Sequence, residues 1–324
     1  MPLNLLFWRL FSSLYSLFNM PELPEVETIR RDLAAKVVGR KIMSVHILSP
    51  KSAAPNAVFL KKNLLGRKII RLERRGKLLI FALSPSTDLL GSKSDSADYL
   101  LIHLKMTGQL IYVDKKDSLA GGHSLSAQAK SLAEAVGGTL PNRHTRAIIG
   151  FSQGARLFFN DLRRFGYLKL VGAAELAKIL QNNYGPEPLT AAFSLTAFQS
   201  ALTGRKTKIK ALLLNQKIIA GLGNIYADET LWLARIHPER RAGALSAVEA
   251  KKLWRAINRI IGRAIEYRGT TFNNYVDAGG RQGNFFGFLK VYGRAGKRCP
   301  ACRTTIVKSK IVGRGTHYCP HCQI

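Results

Sequence analysis

The chain has 324 residues, with 50 Lys plus Arg against 20 Asp plus Glu and a formal charge of +30. Apolar residues make up 46% of it, enough to bury real cores, which excludes a disordered basic tail. The length suits two or three domains. A charge of this sign predicts a polyanionic partner, with nucleic acid as the first candidate and an anionic membrane surface as the rival.

Residues 1–19 form an apolar segment with one arginine and no acidic residue. Arg9 and three serines interrupt it, so it is poorly suited to span a bilayer. No small-residue cleavage site follows it. A targeting peptide, a short membrane anchor and a true translation start at Met20 all account for it, and the residues that follow favour the third.

The segment that begins at Met20 reads MPELPEVETIRRDL. Initiation at Met20, followed by removal of that methionine, would leave Pro21 with a free secondary amine. An α-amino group has a pKa of about 8, so a useful fraction is neutral and nucleophilic at pH 7. Glu22 beside it can act as general acid or base. A proline-rich helix start is the plainer interpretation of the same residues.

Hydrophobic periodicity then predicts the elements in chain order. Pro24 fits the first turn of a helix over 25–38, whose apolar stripe is Val26, Ile29, Leu33 and Val37. Short apolar or alternating runs predict the strands of an antiparallel sandwich at 41–50, 68–83, 99–113, 145–151, 155–160 and 166–171. From about residue 172 the period is helical, and Ser246 and Glu249 form a capping box that opens an amphipathic helix to about residue 266.

Two glycine-containing segments interrupt the helical part. Gly221 and Gly223 precede Asn224, where a helix is predicted to begin; glycines let the backbone approach a phosphate, and a helix start offers it N–H groups. The pattern lacks the preceding strand and third glycine of a dinucleotide fingerprint, so that interpretation is rejected. The glycine-rich segment 272–288 is predicted to be a mobile loop, with an ordinary linker as the alternative.

All four cysteines lie in the last 26 residues, as Cys299-x2-Cys302 and Cys319-x2-Cys322. Two CxxC pairs at this spacing predict one four-thiolate zinc site on a β-hairpin, with two disulfides as the alternative. From residue 278 to the end there are nine Lys or Arg and no Asp or Glu. A small zinc-held hairpin with this charge is typical of a nucleic-acid contact, even where the zinc itself is purely structural.

These collinear motifs resemble the formamidopyrimidine-DNA glycosylase family of bacterial 8-oxoguanine glycosylase/lyases. The resemblance covers nearly all of residues 20–324. It is carried by RRGKLLIF (74–81), IHLKMTGQL (102–110), NDLRRFG (160–166), GPEPL (185–189), GLGNIYADETLW (221–232), RGTT (268–271), KVYGRAGKRCPAC (290–302) and the final CPHC.

The resemblance implies an α+β multidomain fold. Its parts are an N-terminal antiparallel β-sandwich with a leading helix, a helix–two-turns–helix domain and a C-terminal zinc-ribbon β-hairpin. We expect these domains at 21–171, at 186–288 with a lesion loop, and at 289–324, after the apolar extension 1–19.

The resemblance also implies the activity. It is that of a bifunctional DNA glycosylase and abasic-site lyase of base excision repair, which removes 8-oxoguanine and formamidopyrimidines through an N-terminal proline Schiff base. One structural Zn²⁺ and no organic cofactor are expected. The implied partner is damaged double-stranded DNA, with no membrane partner, a monomeric state and a location at the bacterial nucleoid in the cytoplasm.

Individual positions inherit roles from the same resemblance. Pro21 corresponds to the nucleophile and Glu22 to the acid/base residue, with Glu25 as a supporting carboxylate. Lys77 and Arg314 correspond to catalytic cations at the phosphates, although a lysine at a strand start is ordinarily just solvated. The implied DNA contacts are His144, Arg163, Lys206, Lys210, Asn224, Met106 and Phe165, with His103 as an added candidate.

Among these, Met106, Arg163 and Phe165 correspond to the family's wedge, which fills the space of a flipped-out base. Arg163 can donate to cytosine acceptors. Plain core packing is the alternative for Met106 and Phe165.

The sequence also departs from the family pattern. Leu162 stands where proline is usual, Arg303 stands where glycine is usual, and 84–98 and 114–141 are expected to be flexible insertions away from DNA. The extension 1–19 matters most, because with it in place Pro21 is an ordinary peptide proline with no basic lone pair.

Three alternatives follow. An endonuclease VIII-type glycosylase for oxidised pyrimidines is the nearest, although Leu23 and the wedge set favour the purine branch. A non-catalytic zinc-ribbon DNA-binding protein applies if 1–19 is retained. A protein anchored to an anionic membrane by 1–19 explains the charge but not the motifs.

Overall fold

The computed structural model describes residues 20–85, 98–123, 131–270 and 285–324. The apolar extension, most of the first predicted insertion and most of the predicted lesion loop lie outside these ranges. Within them, no helix is both long and apolar enough to cross a bilayer.

The first part of the chain forms a leading helix and ten strands. In chain order the elements are α1 (Leu23–Val37), β1 (Ile42–Ile47), β2 (Ala53–Ala54), α2 (Ala57–Leu64), β3 (Ile69–Arg75), β4 (Leu78–Leu83), β5 (Asp98–His103), β6 (Gly108–Val113), β7 (Ser118–Gly122), α3 (Leu132–Val136), β8 (Thr145–Phe151), β9 (Arg156–Asp161), β10 (Tyr167–Gly172) and α4 (Ala173–Asn183).

The ten strands make two five-stranded sheets, so the predicted sandwich is confirmed. One sheet has the order β1-β8-β9-β6-β7 and the other β2-β10-β5-β4-β3. The pairs are antiparallel except for the short β2, which runs parallel to β10. The alternating apolar residues of both sheets enclose one core that includes Phe81, Ile102, Ile111 and Phe158.

Helix α1 begins where the sequence predicts and joins two cores. Glu22 is its N-cap, and Glu22 N–H donates to Glu25 Oε2 at 2.9 Å, so the carboxylate of the first turn satisfies the backbone of the N-cap. The stripe Val26, Ile29, Leu33 and Val37 is buried in the sandwich core. Leu23, at the first turn, packs instead in the core of the helical part that follows.

Part of the segment expected to be a flexible insertion, 114–141, is regular structure, so that prediction was wrong there. β7 pairs with β6, and α3 follows it. The small residues there indicated a flexible loop, but they are needed for close packing. A Cβ on Gly121 would meet Ile29 Cγ1 at 2.5 Å, so glycine lets α1 lie close to the sheet.

Helix α2 was not predicted from the sequence. Asn56 caps it by accepting a hydrogen bond from Phe59 N–H at 2.8 Å.

The second part of the chain is helical around a separate core. Its helices are α5 (Leu195–Leu202), α6 (Ile209–Leu214), α7 (Asn224–Ala234) and α8 (Ala247–Glu266). The core contains Phe198, Ile225, Leu253 and Ile261. The predicted start of α7 at Asn224 is confirmed, and so is the capping box of α8, in which Ser246 Oγ accepts from Glu249 N–H at 3.3 Å.

The chain ends in a hairpin of β11 (Val307–Ile311) and β12 (Arg314–Tyr318). Val312 and Gly313 between them have φ of 50° and 72°, the conformation of a tight hairpin turn. The hairpin rests on α7, because His317 N–H donates to Asp228 Oδ2 at 2.8 Å.

Candidate active site and metal centre

Pro21 and Glu22 lie buried where the start of α1 meets the start of α7. Ile225 N–H donates to Glu22 Oε1 at 2.9 Å, and Leu23 N–H donates to the Gly221 carbonyl at 3.1 Å. The close approach of the α7 start to the Glu22 side chain requires glycine at residue 223, because a Cβ there would lie 2.2 Å from Glu22 Cδ. The GLGN motif therefore holds the Glu22 carboxyl at the amino end of a helix.

The Glu22 carboxyl can exchange a proton near neutral pH. Burial raises its pKa to about 7; the charge of Lys77 opposes this rise and the charge of Glu25 adds to it. Glu22 Oε2 is buried and has no hydrogen-bond partner among the residues that the structure describes. An unpaired buried oxygen costs on the order of 1–3 kcal/mol, so it is expected where a ligand completes the site.

Glu25, by contrast, is fully hydrogen-bonded and organises the surroundings of Glu22. Its Oε1 accepts from the Tyr226 hydroxyl at 2.6 Å and from Thr270 N–H at 2.7 Å. Burial raises the pKa of Tyr226, so this hydroxyl stays a donor. A Cβ on Gly269 would meet Glu25 Oε1 at 2.5 Å. One carboxylate thus ties α1 to α7 and to the chain after α8.

Lys77 and Arg314 approach the same place from two other elements. Lys77 follows Gly76 in the β3–β4 turn and is only 4% exposed, so it is not a solvated lysine. Burial lowers its pKa, while the charges of Glu22 and Glu25 raise it. Arg314 is exposed at the start of β12, and its positive charge also acts on Lys77.

The turn that carries Lys77 is held by the segment between the sandwich and the helices. Arg74 Nη1 donates to Glu187 Oε1 at 2.9 Å, and Gly76 N–H donates to the same oxygen. Arg74 Nε also donates to Glu27 Oε2 in α1 at 3.1 Å. Sequence reasoning noted the GPEPL motif but missed Glu187 as a supporting residue; an acid between two prolines was the available signal.

Met106, Arg163 and Phe165 come together at an exposed edge of the sandwich. Arg163 Nη1 lies 3.3 Å from Met106 Sδ, and its guanidinium carbon lies 4.8 Å from the centre of the Phe165 ring. Phe165 is 52% exposed, which excludes core packing for this ring. An exposed aromatic ring stacked on an arginine is suited to contact bases.

Buried Asp161 shapes the loop that presents Arg163 and Phe165, and the sequence did not single it out. Its Oδ2 accepts from Gly166 N–H at 2.7 Å, and its Oδ1 accepts from Arg163 N–H at 3.2 Å. The Thr107 hydroxyl also donates to Oδ1, which links the loop to the residue after Met106.

The four cysteines form one cluster that fits zinc. Their Sγ atoms all lie within 4.8 Å of one another, with 3.4 Å between Cys302 and Cys319 and 3.9 Å between Cys299 and Cys322. Thiolates at about 2.3 Å from a tetrahedral zinc lie about 3.8 Å apart, in agreement with these separations. All four are free cysteines, so the alternative of two disulfides is excluded.

Comparison with known proteins agrees with this architecture. Three family models match: the formamidopyrimidine-DNA glycosylase N-terminal domain over 20–168, its H2TH domain over 184–275, and the zinc finger found in FPG and IleRS over 296–324. The formamidopyrimidine-DNA glycosylase of Heliobacterium modesticaldum is 42% identical over 307 residues, which are 94% of this chain and 100% of that protein. The chain belongs to the formamidopyrimidine-DNA glycosylase family.

Solved members of the family share the fold. A Lactococcus lactis FPG variant in complex with DNA containing Fapy-dG has a TM-score of 0.78 at 34% identity, covering 94% of this chain and 99% of that one. MutM in complex with DNA containing carbocyclic 8-oxo-G has a TM-score of 0.77 at 35% identity, with coverage of 94% and 99%.

Of the other DNA contacts implied by the family, Lys206 and Asn224 are accessible, whereas His144 and the added candidate His103 are buried. Lys206 is exposed in the loop before α6, and Asn224 heads α7 with Nδ2 donating to the Gly315 carbonyl at 2.9 Å. His144 is 7% exposed, burial lowers its pKa, and its Nε2 accepts from Arg143 Nε at 3.1 Å. His103 is 9% exposed, and Lys105 N–H donates to its Nδ1 at 3.0 Å.

Lys210, an implied phosphate contact, is enclosed by protein acceptors in this structure. It is completely buried, and its Nζ donates to Asp228 Oδ1 at 2.6 Å and to Thr316 Oγ1 at 2.7 Å. Lys210 Nζ also donates to the Gly315 carbonyl oxygen, with 3.4 Å between the two atoms. All three of its protons thus face acceptors of the protein, and these contacts link α6 to Asp228 of α7 and to the zinc hairpin.

Proposed function

We propose that this protein is a bifunctional DNA glycosylase and abasic-site lyase that removes oxidised purines from duplex DNA. The observation that carries the proposal is the buried Glu22 carboxyl, with a pKa of about 7 and one unpaired oxygen, directly after Pro21. The names of its relatives and the lesions in the DNA bound by solved family members support the choice of oxidised purines.

Binding begins with the phosphate backbone. The charge of +30 attracts duplex DNA, and Lys206, Asn224 and Arg314 bind phosphates that set the register. Met106, Arg163 and Phe165 then occupy the space left by the damaged nucleotide, which must leave the stack before its sugar can react. The zinc, once bound by its four cysteines, only holds the hairpin that presents Arg314.

Base removal uses the Pro21 amine as nucleophile. Its lone pair attacks C1′ of the deoxyribose, and the electrons of the breaking C1′–N bond leave with the base. The proton of the attacking amine is transferred to the departing base, so the nitrogen regains a lone pair that forms the C1′=N bond as the C1′–O4′ bond breaks. Glu22, beside the amine, protonates the ring oxygen O4′, and the sugar ring opens. The product is a cationic iminium between Pro21 and C1′, because a secondary amine has no second proton to lose.

Strand cleavage follows from that cation. The iminium withdraws electrons from C2′, so the C2′ proton leaves and the C3′–O bond breaks with loss of the 3′ phosphate. Removal of the C4′ proton then breaks the C5′–O bond in a second elimination. Lys77 and Arg314 stabilise the departing phosphates, and water hydrolyses the final conjugate to restore Pro21.

This chemistry requires a free amine at Pro21, so we propose that the active form begins there. We also propose that its domains comprise residues 21–171, 186–288 and 289–324. The active protein is proposed to be a monomer. Since the proposed substrate is chromosomal DNA and the relatives described above are bacterial, the proposed place of action is the nucleoid.

Borohydride trapping tests the proposal. Protein starting at Pro21 and protein retaining residues 1–19 are each incubated with an 8-oxoguanine·C duplex and reductant, with a thymine glycol duplex as the comparison lesion. We expect a covalent complex only for the Pro21 form and faster reaction on 8-oxoguanine. Equal trapping of the Pro21→Gly variant at the native rate would contradict the role of the proline ring amine. Preference for thymine glycol would instead indicate the endonuclease VIII-type alternative.

A further inference from the structure

A positively charged cleft lies between α7 and α8, outside the site described above. Its volume is about 360 Å³, within the size range of small ligand sites, roughly 300–1,000 Å³. The residues that line it are Leu233, Ala234, Arg235, Lys252, Arg255, Ala256 and Arg259. We call this the cationic cleft.

The charges of the cationic cleft are not neutralised by their surroundings. No acidic residue lines it, and none of its four cations forms an ion pair or side-chain hydrogen bond within the part of the chain that the structure describes. All four are exposed. Lys252, Arg255 and Arg259 follow one face of α8 over about 10 Å, so their charges add along the cleft.

The bottom of the cationic cleft is apolar. Ala234 and Ala256 are 6% and 4% exposed, and Leu233 lies beside them. Arg235 caps the carboxyl end of α7 at φ 61°, a left-handed position where glycine is the usual residue. An arginine at a backbone position that disfavours it, with its side chain lining the cleft, points to a use for that side chain.

The cationic cleft is remote from the candidate active site. Helix α7 has its amino end at Glu22 and its carboxyl end at Arg235, eleven residues or about 16 Å further along the axis. A ligand in the cleft therefore leaves the Glu22 site open.

We propose that the cationic cleft binds an acidic peptide segment of a partner protein. Its carboxylates pair with Arg235, Lys252, Arg255 and Arg259, and one apolar side chain enters between the helices to cover the half-buried Leu233. Arginine at the edge of a concave apolar site is the composition that gives tight contacts in protein interfaces. The bidentate guanidinium also matches a carboxylate in geometry.

Duplex DNA fits the cationic cleft less well. A phosphodiester backbone brings no apolar group, so the half-buried Leu233 would stay uncovered beneath it. Phosphate contacts need an outward-facing cation and no concave apolar floor.

Fluorescence anisotropy with a defined peptide tests the proposal on the full chain. The probe is a fluorescein-labelled Asp-Glu-Asp-Phe-Asp-Glu-Leu peptide, beside a second peptide in which Phe and Leu are Ser. The cleft variant carries Arg255→Glu and Arg259→Glu. The control carries Lys61→Glu and Lys62→Glu, exposed positions on α2 that make the same change in net charge. Affinity for an undamaged duplex is measured at the same salt concentration for both variants.

We expect the peptide Kd to rise at least about tenfold in the cleft variant and less than about twofold in the control. We also expect the Ser peptide to bind at least about fivefold more weakly to the native protein, and the two variants to bind DNA equally. Equal losses of peptide affinity in both variants would overturn the proposal, since net charge alone would then explain binding. Equal binding of the two peptides would overturn it too, and selective loss of DNA affinity in the cleft variant would assign the cleft to DNA.

Discussion

Glu22 and Glu25 are three residues apart in one helix turn, yet their environments differ. Glu25 accepts hydrogen bonds from Glu22 N–H, Tyr226 and Thr270, whereas Glu22 accepts one from Ile225 and keeps Oε2 unpaired. Where two carboxyl groups lie this close, unequal surroundings separate their roles. Glu25 is built as a structural acceptor, and Glu22 is left to handle a proton.

Glu22→Gln is expected to lower base excision by at least about 100-fold, because the amide keeps the shape but cannot deliver a proton. Single-turnover release of 8-oxoguanine is the measurement, with exposed Glu73→Gln as the control. Abasic DNA already holds some open-chain aldehyde, so the variant should still be trapped on it. Normal excision by Glu22→Gln would refute the acid/base assignment.

The raised pKa of Glu22 also predicts a pH dependence of stability. Its carboxyl has a pKa of 4.5 when unfolded and about 7 when folded, so the folded state binds the extra proton between these values. This stabilisation is complete below pH 4.5 and is lost as the pH rises through 7. Urea denaturation between pH 4.5 and 7.5 should show native stability falling by on the order of 1–3 kcal/mol relative to Glu22→Gln. Parallel curves for the two proteins would rule this out.

At the scale of elements, the zinc hairpin is attached to the helical part through buried charge. Asp228 on α7 accepts from Lys210 on one oxygen and from His317 N–H on the other. Glu229, its neighbour, accepts backbone N–H groups of Lys290, Val291 and Tyr292 at 2.8–2.9 Å, and burial raises the pKa of Glu229. Two adjacent acids on one helix therefore fix the hairpin and the chain that leads to it.

Loss of Lys210 should be costly for this reason. Lys210→Met leaves Asp228 buried without its cation, and breaking a buried pair in this way typically costs about 3–5 kcal/mol. Thermal and urea unfolding measure it, with exposed Lys206→Met as the matched control. Equal stability of the two variants would contradict the anchoring role.

Metal removal should act on the hairpin first. Chelation or Cys302→Ser is expected to weaken duplex affinity at least about tenfold, because Arg314 loses the support that places it near Lys77. Anisotropy on a lesion duplex, with the zinc content measured in parallel, tests this, and readdition of zinc should restore the native protein but not the variant. Unchanged affinity after verified zinc loss would show that the hairpin does not contribute.

At the scale of the whole molecule, the candidate site exists only where the sandwich, the helices and the hairpin meet. Helix α1 contributes Val26 to one core and Leu23 to the other. Glu187 joins the interdomain segment to the Lys77 turn, and Gly223 lets α7 reach Glu22. Activity should therefore be sensitive to how closely the parts dock.

Gly223→Ala tests that sensitivity. The backbone φ of −132° suits any residue, so the substitution acts only through its Cβ, which would lie 2.2 Å from Glu22 Cδ. We expect excision to fall by at least about 100-fold as α1 and α7 move apart. Gly262→Ala in α8, whose Cβ would make only ordinary contacts with Leu189 at 3.7 Å and beyond, is the control. Native activity in Gly223→Ala would contradict the docking argument.

Local patterns were sufficient for much of the architecture. The stripe of α1, the capping box of α8, the start of α7 at Asn224 and the CxxC spacing all depend on neighbours in the chain, and each was predicted. The two long apolar runs at 68–83 and 99–113 each proved to contain two strands, since a turn of a few residues leaves little trace in composition.

By itself the sequence determined the order of the sandwich, helical and zinc parts, the zinc ligands and the family, because these rest on spacing, periodicity and collinear motifs. Only the tertiary structure decided which charges are buried and what they contact. It enclosed Lys210, which the family resemblance had placed on DNA. It also raised the pKa of Glu22 and brought Glu187 and Asp161 into supporting positions. The physical reason is that desolvation and long-range hydrogen bonds depend on residues distant in the chain, about which local pattern carries no information.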